Sequence, residues 1–296
     1  MLEPQGYRAP AQFTAPMNHK QQLILRVSCP DRVGLVSLIT EVLYRHQCNI
    51  VSNHEFVEPV SAQFFMRTAF YGNSLATQIA SEVATVLGDG ASVQVKPQAR
   101  KKIVILATKE AHVLGDLLVR CAYDDLPADI VAVLANHQVL EPLVRGFGLP
   151  FHHLPSDDLE RHEHEVQVLK TLEQVDFDYL ILAKYMRVLN PIFVNHFPNR
   201  IINIHHSFLP AFVGANPYRQ AYDRGVKIIG ATAHFVNDQL DQGPIITQGV
   251  ESVAHHLSPK ELAKVGRDIE KITLAKAVDL VCSDRVFIAG NKTVVF

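Results

Sequence analysis

The chain has 296 residues, 48% of them hydrophobic and 20% charged, which suits two ordinary domains with sizeable cores and argues against wholesale disorder. Twenty-eight Lys+Arg against 30 Asp+Glu leave a formal charge of -2, without the basic stripe a nucleic-acid partner needs. The cysteines (Cys29, Cys48, Cys121, Cys282) form no CxxC pair, prolines interrupt the opening residues, and no apolar run reaches the roughly 18–20 residues of a membrane span, so free thiols, a cytoplasmic setting and no membrane role are expected.

Residues 1–20 lack periodicity and read as a flexible tail. Leu23–Ser28 alternates like a strand and runs into Cys29-Pro30-Asp31, where Asp31 can cap a helix over Val33–His46 carrying Val36, Ile39, Val42 and Leu43 on one side. Strand-like runs follow at Ile50–Val57 and Gln63–Ala69, then a helix over Ser74–Leu87 and a strand over Ser92–Lys96. The order βαββαβ across residues 21–97 predicts a ferredoxin-like antiparallel sheet backed by two helices. Residues 98–102 form a polar linker to a second domain, 103–296. There Lys102–Thr108, Asp129–Asn136 and Asp178–Lys184 are apolar runs suited to strands buried on both faces. They alternate with helical stretches at Leu114–Cys121, Val139–Phe147 and Glu163–Gln174, which predicts a mostly parallel, Rossmann-like α/β sheet.

The densest polar signal is Arg200–Pro210, where a buried-strand pattern is interrupted by Asn203 and ends in His205, His206 and Ser207. Carboxyl ends of parallel strands are where such sheets bind ligands. Two residues apart on a strand, Asn203 and His205 share a side, while His206 is expected on the other and reads as structural. Ala231–Val236 alternates, and the turn-rich loop Asn237–Gly243 holds Asp238 and Asp241 before extended structure resumes at Pro244–Gln248. A carboxylate from that loop, laid across the end of the Asn203–His205 strand, could pair with His205 as an acid–base histidine requires. The histidines at 152, 153, 162 and 164 invite a zinc reading, but no HExxH pattern occurs and His162 and His164 diverge on a helix, so no metal is expected.

Asn203-Ile204-His205, Ser207-x-Leu209-Pro210 and Leu240-Asp241-x-Gly243-Pro244 together resemble the folate-dependent formyltransferase fold, and Met186-Arg187-Val188-Leu189 resembles its folate-binding segment. Over nearly its whole length the chain is similar to the formyltetrahydrofolate deformylases. Cys29-Pro30-Asp31-Arg32-x-Gly34, KEAHVLGDLL (109–118), NIHHSFLPAF (203–212), ANPYRQA (215–221), VGRDIEK (265–271) and GNKTVVF (290–296) look like that family's versions of their segments. The resemblance implies an ACT domain followed by a formyltransferase-type domain. It implies hydrolysis of 10-formyltetrahydrofolate by water to formate and tetrahydrofolate, serving one-carbon and purine metabolism. It also implies a catalytic trio of Asn203, His205 and Asp241, and substrate contacts from Met186, Arg187, Val188, Leu189, Ser207, Leu209, Pro210 and Gly243. Folate is then the substrate and no cofactor is needed; Arg161 is a further suggested folate contact. An amino-acid effector at the ACT domain, around Asp31–Leu35, is an open expectation, and sheet edges with near-neutral charge favour a homo-oligomer.

Of two alternatives, a non-catalytic folate or amino-acid sensor predicts a broken trio, whereas transfer of the formyl group to an amine uses the same one. A transformylase that holds its acceptor's phosphate needs a glycine-rich loop after the first strand, whereas Thr108–Gly115 carries Glu110 and a single glycine, so water is the default acceptor. Lys109 and His112 there read as solvated loop residues or anion contacts, and Tyr218 and Arg219 as a loop near the site or plain surface.

Overall fold

Short-range alternation and helical stripes account for most of the elements, which the computed structural model describes over residues 21–73, 75–157, 159–210 and 217–296. The tail expected over 1–20 and the loop around Gly214 lie outside the described residues. The chain divides into two units, one of Met1–Glu55 with Met66–Gln98, the other of Phe56–Phe65 with Ala99–Phe296.

The first contains β1 (Leu23–Pro30), α1 (Leu35–Arg45), most of β2 (Asn49–Glu58) and of β3 (Gln63–Tyr71), α2 (Ala76–Leu87) and β4 (Ser92–Pro97), with sheet order β2-β3-β1-β4, the expected βαββαβ arrangement. Helix α1 buries Leu35, Ile39, Val42 and Leu43, and α2 buries Ile79, Val83 and Leu87, each a stripe at i, i+4 spacing. The expected Asp31 cap is not used. The N-cap is Gly34, at φ 91, because the chain enters the helix through a left-handed residue that only glycine adopts freely.

The second unit runs β5 (Lys101–Ala107), α3 (Ala111–Ala122), β6 (Ala128–Ala135), α4 (Glu141–Gly146), β7 (Phe151–His153), α5 (Arg161–Leu172), β8 (Tyr179–Ala183), α6 (Pro191–His196), β9 (Ile201–His205), α7 (Pro217–Asp223), β10 (Ile228–Phe235), β11 (Ile245–Ser252), α8 (Pro259–Cys282), β12 (Val286–Ala289) and β13 (Lys292–Val295). Strand β5 begins at Lys101, one residue before the expected Lys102 start and inside the expected linker. The seven-stranded sheet has the order β11-β10-β9-β8-β5-β6-β7. Strands from β7 to β9 are parallel, and β10 and β11 extend the sheet antiparallel.

Successive residues of β5 alternate between two cores. Ile103, Ile105 and Ala107 pack with residues of α3, α4 and α8, while Val104 and Leu106 pack with Val168 and Leu172 of α5 and Phe193 and Val194 of α6. Helix α8 starts at a capping box between Ser258 and Glu261 with Pro259 following. Its 24 residues and the β12–β13 hairpin are absent from the sequence-based assignment. No helix among the described residues is long and apolar enough to cross a membrane.

Candidate active site

Strand β9 places the site. Ile202 and Ile204 face the core containing α8, and Ile201 faces the core containing α5, so Asn203 and His205 follow Ile201 beyond the packed layer at the carboxyl end of the sheet. Pairing with β10 sets Asn203 opposite His234 and His205 opposite Thr232. Asp241 arrives from the loop between β10 and β11, and its Oδ2 lies 3.3 Å from His205 Nδ1. Its Oδ1 lies 3.8 Å from His234 Nε2. Asp241 thus joins His205 directly, while Asn203 reaches Asp241 through His234.

Two backbone features put Asp241 there. Its φ of 57 is left-handed, a conformation aspartate tolerates better than most residues. A Cβ on Gly243 would overlap the Phe235 carbonyl, so the loop closes against β10 only with glycine at that place. The register of β10 against β11 shifts between Ala233 and His234, a bulge beside the site.

Alternation alone places His234 in a strand, yet it orients Asn203. Its Nδ1 donates to the Phe235 carbonyl at 2.8 Å, leaving Nε2 to accept from Asn203 Nδ2 at 3.2 Å. Burial lowers the His234 pKa, which favours that neutral form. The amide is thereby turned so that its second N–H can donate elsewhere. Burial pushes Asp241 upward, but the His205 hydrogen bond and the charges of His205, His234 and His206 outweigh it and hold the carboxyl below its ordinary value. His205 Nε2 is buried with no hydrogen-bond partner among the described groups.

His206 corrects the sequence reading. Strand β9 ends at His205, so the pleat no longer dictates the next side chain, and the two imidazoles stack with centroids 5.1 Å apart and planes at 25°. Burial, then the charges of Lys184 and His205, push the His206 pKa down to about 4. Thr232 secures the following turn: its Oγ1 donates to Ser207 O at 2.9 Å and accepts from the Leu209 N–H and Gln248 Nε2, each at 3.0 Å. Ser207 and Leu209 are buried in this turn and Pro210 is exposed.

The pairing of Leu182 with Asn203 sets the segment after β8 beside His205. Met186 is 61% exposed and its N–H donates to Thr108 Oγ1 at 3.1 Å, Val188 is exposed, and Leu189 packs on the core under α5 and α6. Arg187 is half-buried, with its charge acting on His164, Glu165 and Tyr185. His112 is not a solvated loop residue: its Nε2 lies 2.7 Å from Glu270 Oε2. Tyr218, in α7 rather than a loop, donates to Glu270 Oε1 at 2.8 Å, whereas Arg219 pairs with Asp223 at the surface. His152 and His153 lie in β7 and His162 and His164 in α5, with His164 Nε2 on the Leu154 carbonyl. Among the described residues no group of three or more His, Cys, Asp or Glu is placed to hold a metal ion.

Lys184 and Glu270 were also missed. Each left a signal: a lysine closing an apolar strand, and a glutamate on the buried face of a helix between Ile269 and Thr273.

The formyl transferase family profile matches residues 101–278. The formyltetrahydrofolate deformylase of Escherichia coli (strain K12) is 48% identical over 279 residues, covering 94% of this chain and 100% of the relative. Crystal structures of formyltetrahydrofolate deformylases from Burkholderia mallei and Pseudomonas syringae pv. tomato superpose with TM-scores of 0.87 and 0.90 at 43% and 36% identity, covering 93% and 95% of this chain and 99% and 96% of theirs. With both units and the order of motifs matched along almost the entire chain, this protein belongs to the formyltetrahydrofolate deformylase family, hydrolytic enzymes in which an ACT-like unit precedes a formyltransferase-type fold.

Proposed function

We propose that this chain hydrolyses 10-formyltetrahydrofolate to formate and tetrahydrofolate, with Asn203, His205 and Asp241 as the catalytic residues. One observation carries the assignment of roles: His205 presents Nδ1 to Asp241 at 3.3 Å while Nε2 has no hydrogen-bond partner among the described residues. That is the polarity of a general base whose far nitrogen is oriented by a carboxylate.

In the reaction, water oxygen bonds to the formyl carbon as His205 Nε2 takes one water proton. The carbonyl electron pair moves onto oxygen, and the free N–H of Asn203 donates to that oxyanion. Loss of such a donor typically costs about 10²–10³ in rate. The charge of Asp241 stabilises the imidazolium formed in this step. Collapse breaks the bond from carbon to N10, whose electron pair takes the proton back from His205 Nε2. The products are tetrahydrofolate and formic acid, which ionises to formate in solvent. Met186, Arg187, Val188 and Leu189 would line the folate side, and Ser207, Leu209, Pro210 and Gly243 shape the turn and loop around the reacting carbon.

Incubation with 10-formyltetrahydrofolate and no amine should release formate, and Asn203→Ala should lower kcat by about 10²-fold with little change in folate affinity. No formate from the folded protein, or an Asn203→Ala effect confined to affinity, refutes the assignment. Exposed Val51 of β2 and Tyr44 of α1 support assembly of the ACT-like unit with a second copy, and an amino acid remains the effector class to test there.

A further inference from the structure

Behind the stacked imidazoles lies a group of polar side chains that the hydrolytic steps do not use. Glu270 of α8 is 1% exposed. Its Oε2 meets His112 Nε2 at 2.7 Å, and its Oε1 meets the Tyr218 hydroxyl at 2.8 Å and Lys184 Nζ at 3.4 Å. The partners come from α3, α7 and the residue after β8, so separate chain segments converge on a single carboxylate. The Tyr218 ring lies 6.3 Å from that of His206, which stacks on His205.

Two sequence choices against local preference maintain the cluster. Gly266 sits inside α8, where glycine weakens a helix, and any Cβ there would overlap the Tyr218 hydroxyl. Lys184 is buried and holds a left-handed φ of 58, a conformation lysine seldom adopts. A buried ion pair contributes little net stability, because desolvation offsets the attraction, so stability alone gives no reason for one beside a reactive histidine.

We infer that Glu270 and Lys184 are a positioning pair that governs whether His206, stacked on His205, carries a charge, Lys184 opposing a positive charge there and Glu270 limiting that opposition while anchoring Tyr218 against His206. The charged and titratable groups bearing on the stacked imidazoles are Asp241 and His234 from β10 and its loop, Lys184 after β8, Tyr218 from α7 and Glu270 from α8, with His112 and Glu110 at the start of α3 behind Glu270. A net positive pair would keep His205 from accepting the water proton. The consequence for turnover rests on the deformylase reading; the coupling itself does not.

The test compares Glu270→Gln, Lys184→Met and the double variant with the wild-type chain. Formate release is followed against pH, and the His206 imidazole is titrated by nitrogen NMR. Glu270→Gln leaves Lys184 unopposed, so the acid limb of kcat/KM and the His206 titration should move to lower pH by about one unit. Lys184→Met should move them to higher pH, and the double variant should return them close to wild type. Limbs and titrations unmoved in folded single variants, or a double variant no nearer to wild type than the singles, overturn the inference. Should titrations shift as stated in a chain that releases no formate, the coupling stands and the deformylase reading falls. Formate release with unshifted titrations has the opposite meaning.

Discussion

Replacing Asp241 by asparagine isolates its charge. Asparagine tolerates the left-handed φ of 57 at this position, so the loop need not move, and the amide can still face His205. What is lost is the attraction between the carboxylate and the imidazolium formed when His205 takes the water proton. At the 3.3 Å separation of Asp241 Oδ2 and His205 Nδ1, Coulomb's law bounds that attraction between about 1 kcal/mol in bulk water and about 5 kcal/mol at an effective dielectric near 20. Side-chain exposures of 8% for His205 and 15% for Asp241 put the pair between these limits, near 3 kcal/mol, after allowing for solvent at the loop. Because about 1.4 kcal/mol is a factor of ten, Asp241→Asn should lower kcat by about 10²-fold while folate binding stays within about twofold. Formate release measured under saturating substrate, with ligand binding by fluorescence and a thermal melt as a control for folding, decides the matter. Near wild-type kcat in a folded variant would refute the electrostatic account of the trio.

Two further outcomes follow from the same geometry. A Cβ on Gly243 collides with the Phe235 carbonyl that His234 Nδ1 holds, so Gly243→Ala should cost about 1–3 kcal/mol in denaturant unfolding and disturb the His234–Asn203 contact; unchanged stability and kcat would show that the loop has room the structure denies. His206, whose pKa drops from 6.5 to about 4 on burial, stays neutral in the fold while the unfolded chain takes up a proton. Its contribution is complete above pH 6.5 and is lost as pH falls toward 4, and partial exposure limits it to about 2 kcal/mol. Urea titrations should show His206→Asn flattening the acid decline in stability; an equally steep decline in that variant would assign it to other groups.

Where local periodicity carries the information, sequence and structure agree. The continuous apolar runs of β5, β6 and β8 and the stripes of α1 and α2 need nothing beyond their own residues, and neither does the shared side of Asn203 and His205, which follows from the pleat of β9. Asp241 was reachable because its loop repeats a known pattern. His206 was misjudged because the pleat ends one residue earlier, an event decided by how Thr232 ties down the next turn. Asp31 does not cap α1 because the helix starts later than the periodicity suggests, entering through the left-handed Gly34.

Chain order therefore specified the strands, the helical stripes and the face on which the reactive amide and imidazole stand, since those depend on neighbours a few positions away. Only the tertiary structure determined which distant groups complete them: His234 reaches Asn203 across 31 positions, and His112 reaches Glu270 across 158. A buried carboxylate or imidazole has no local signature of its partner, because burial and charge compensation arise when separate segments exclude water around the same point.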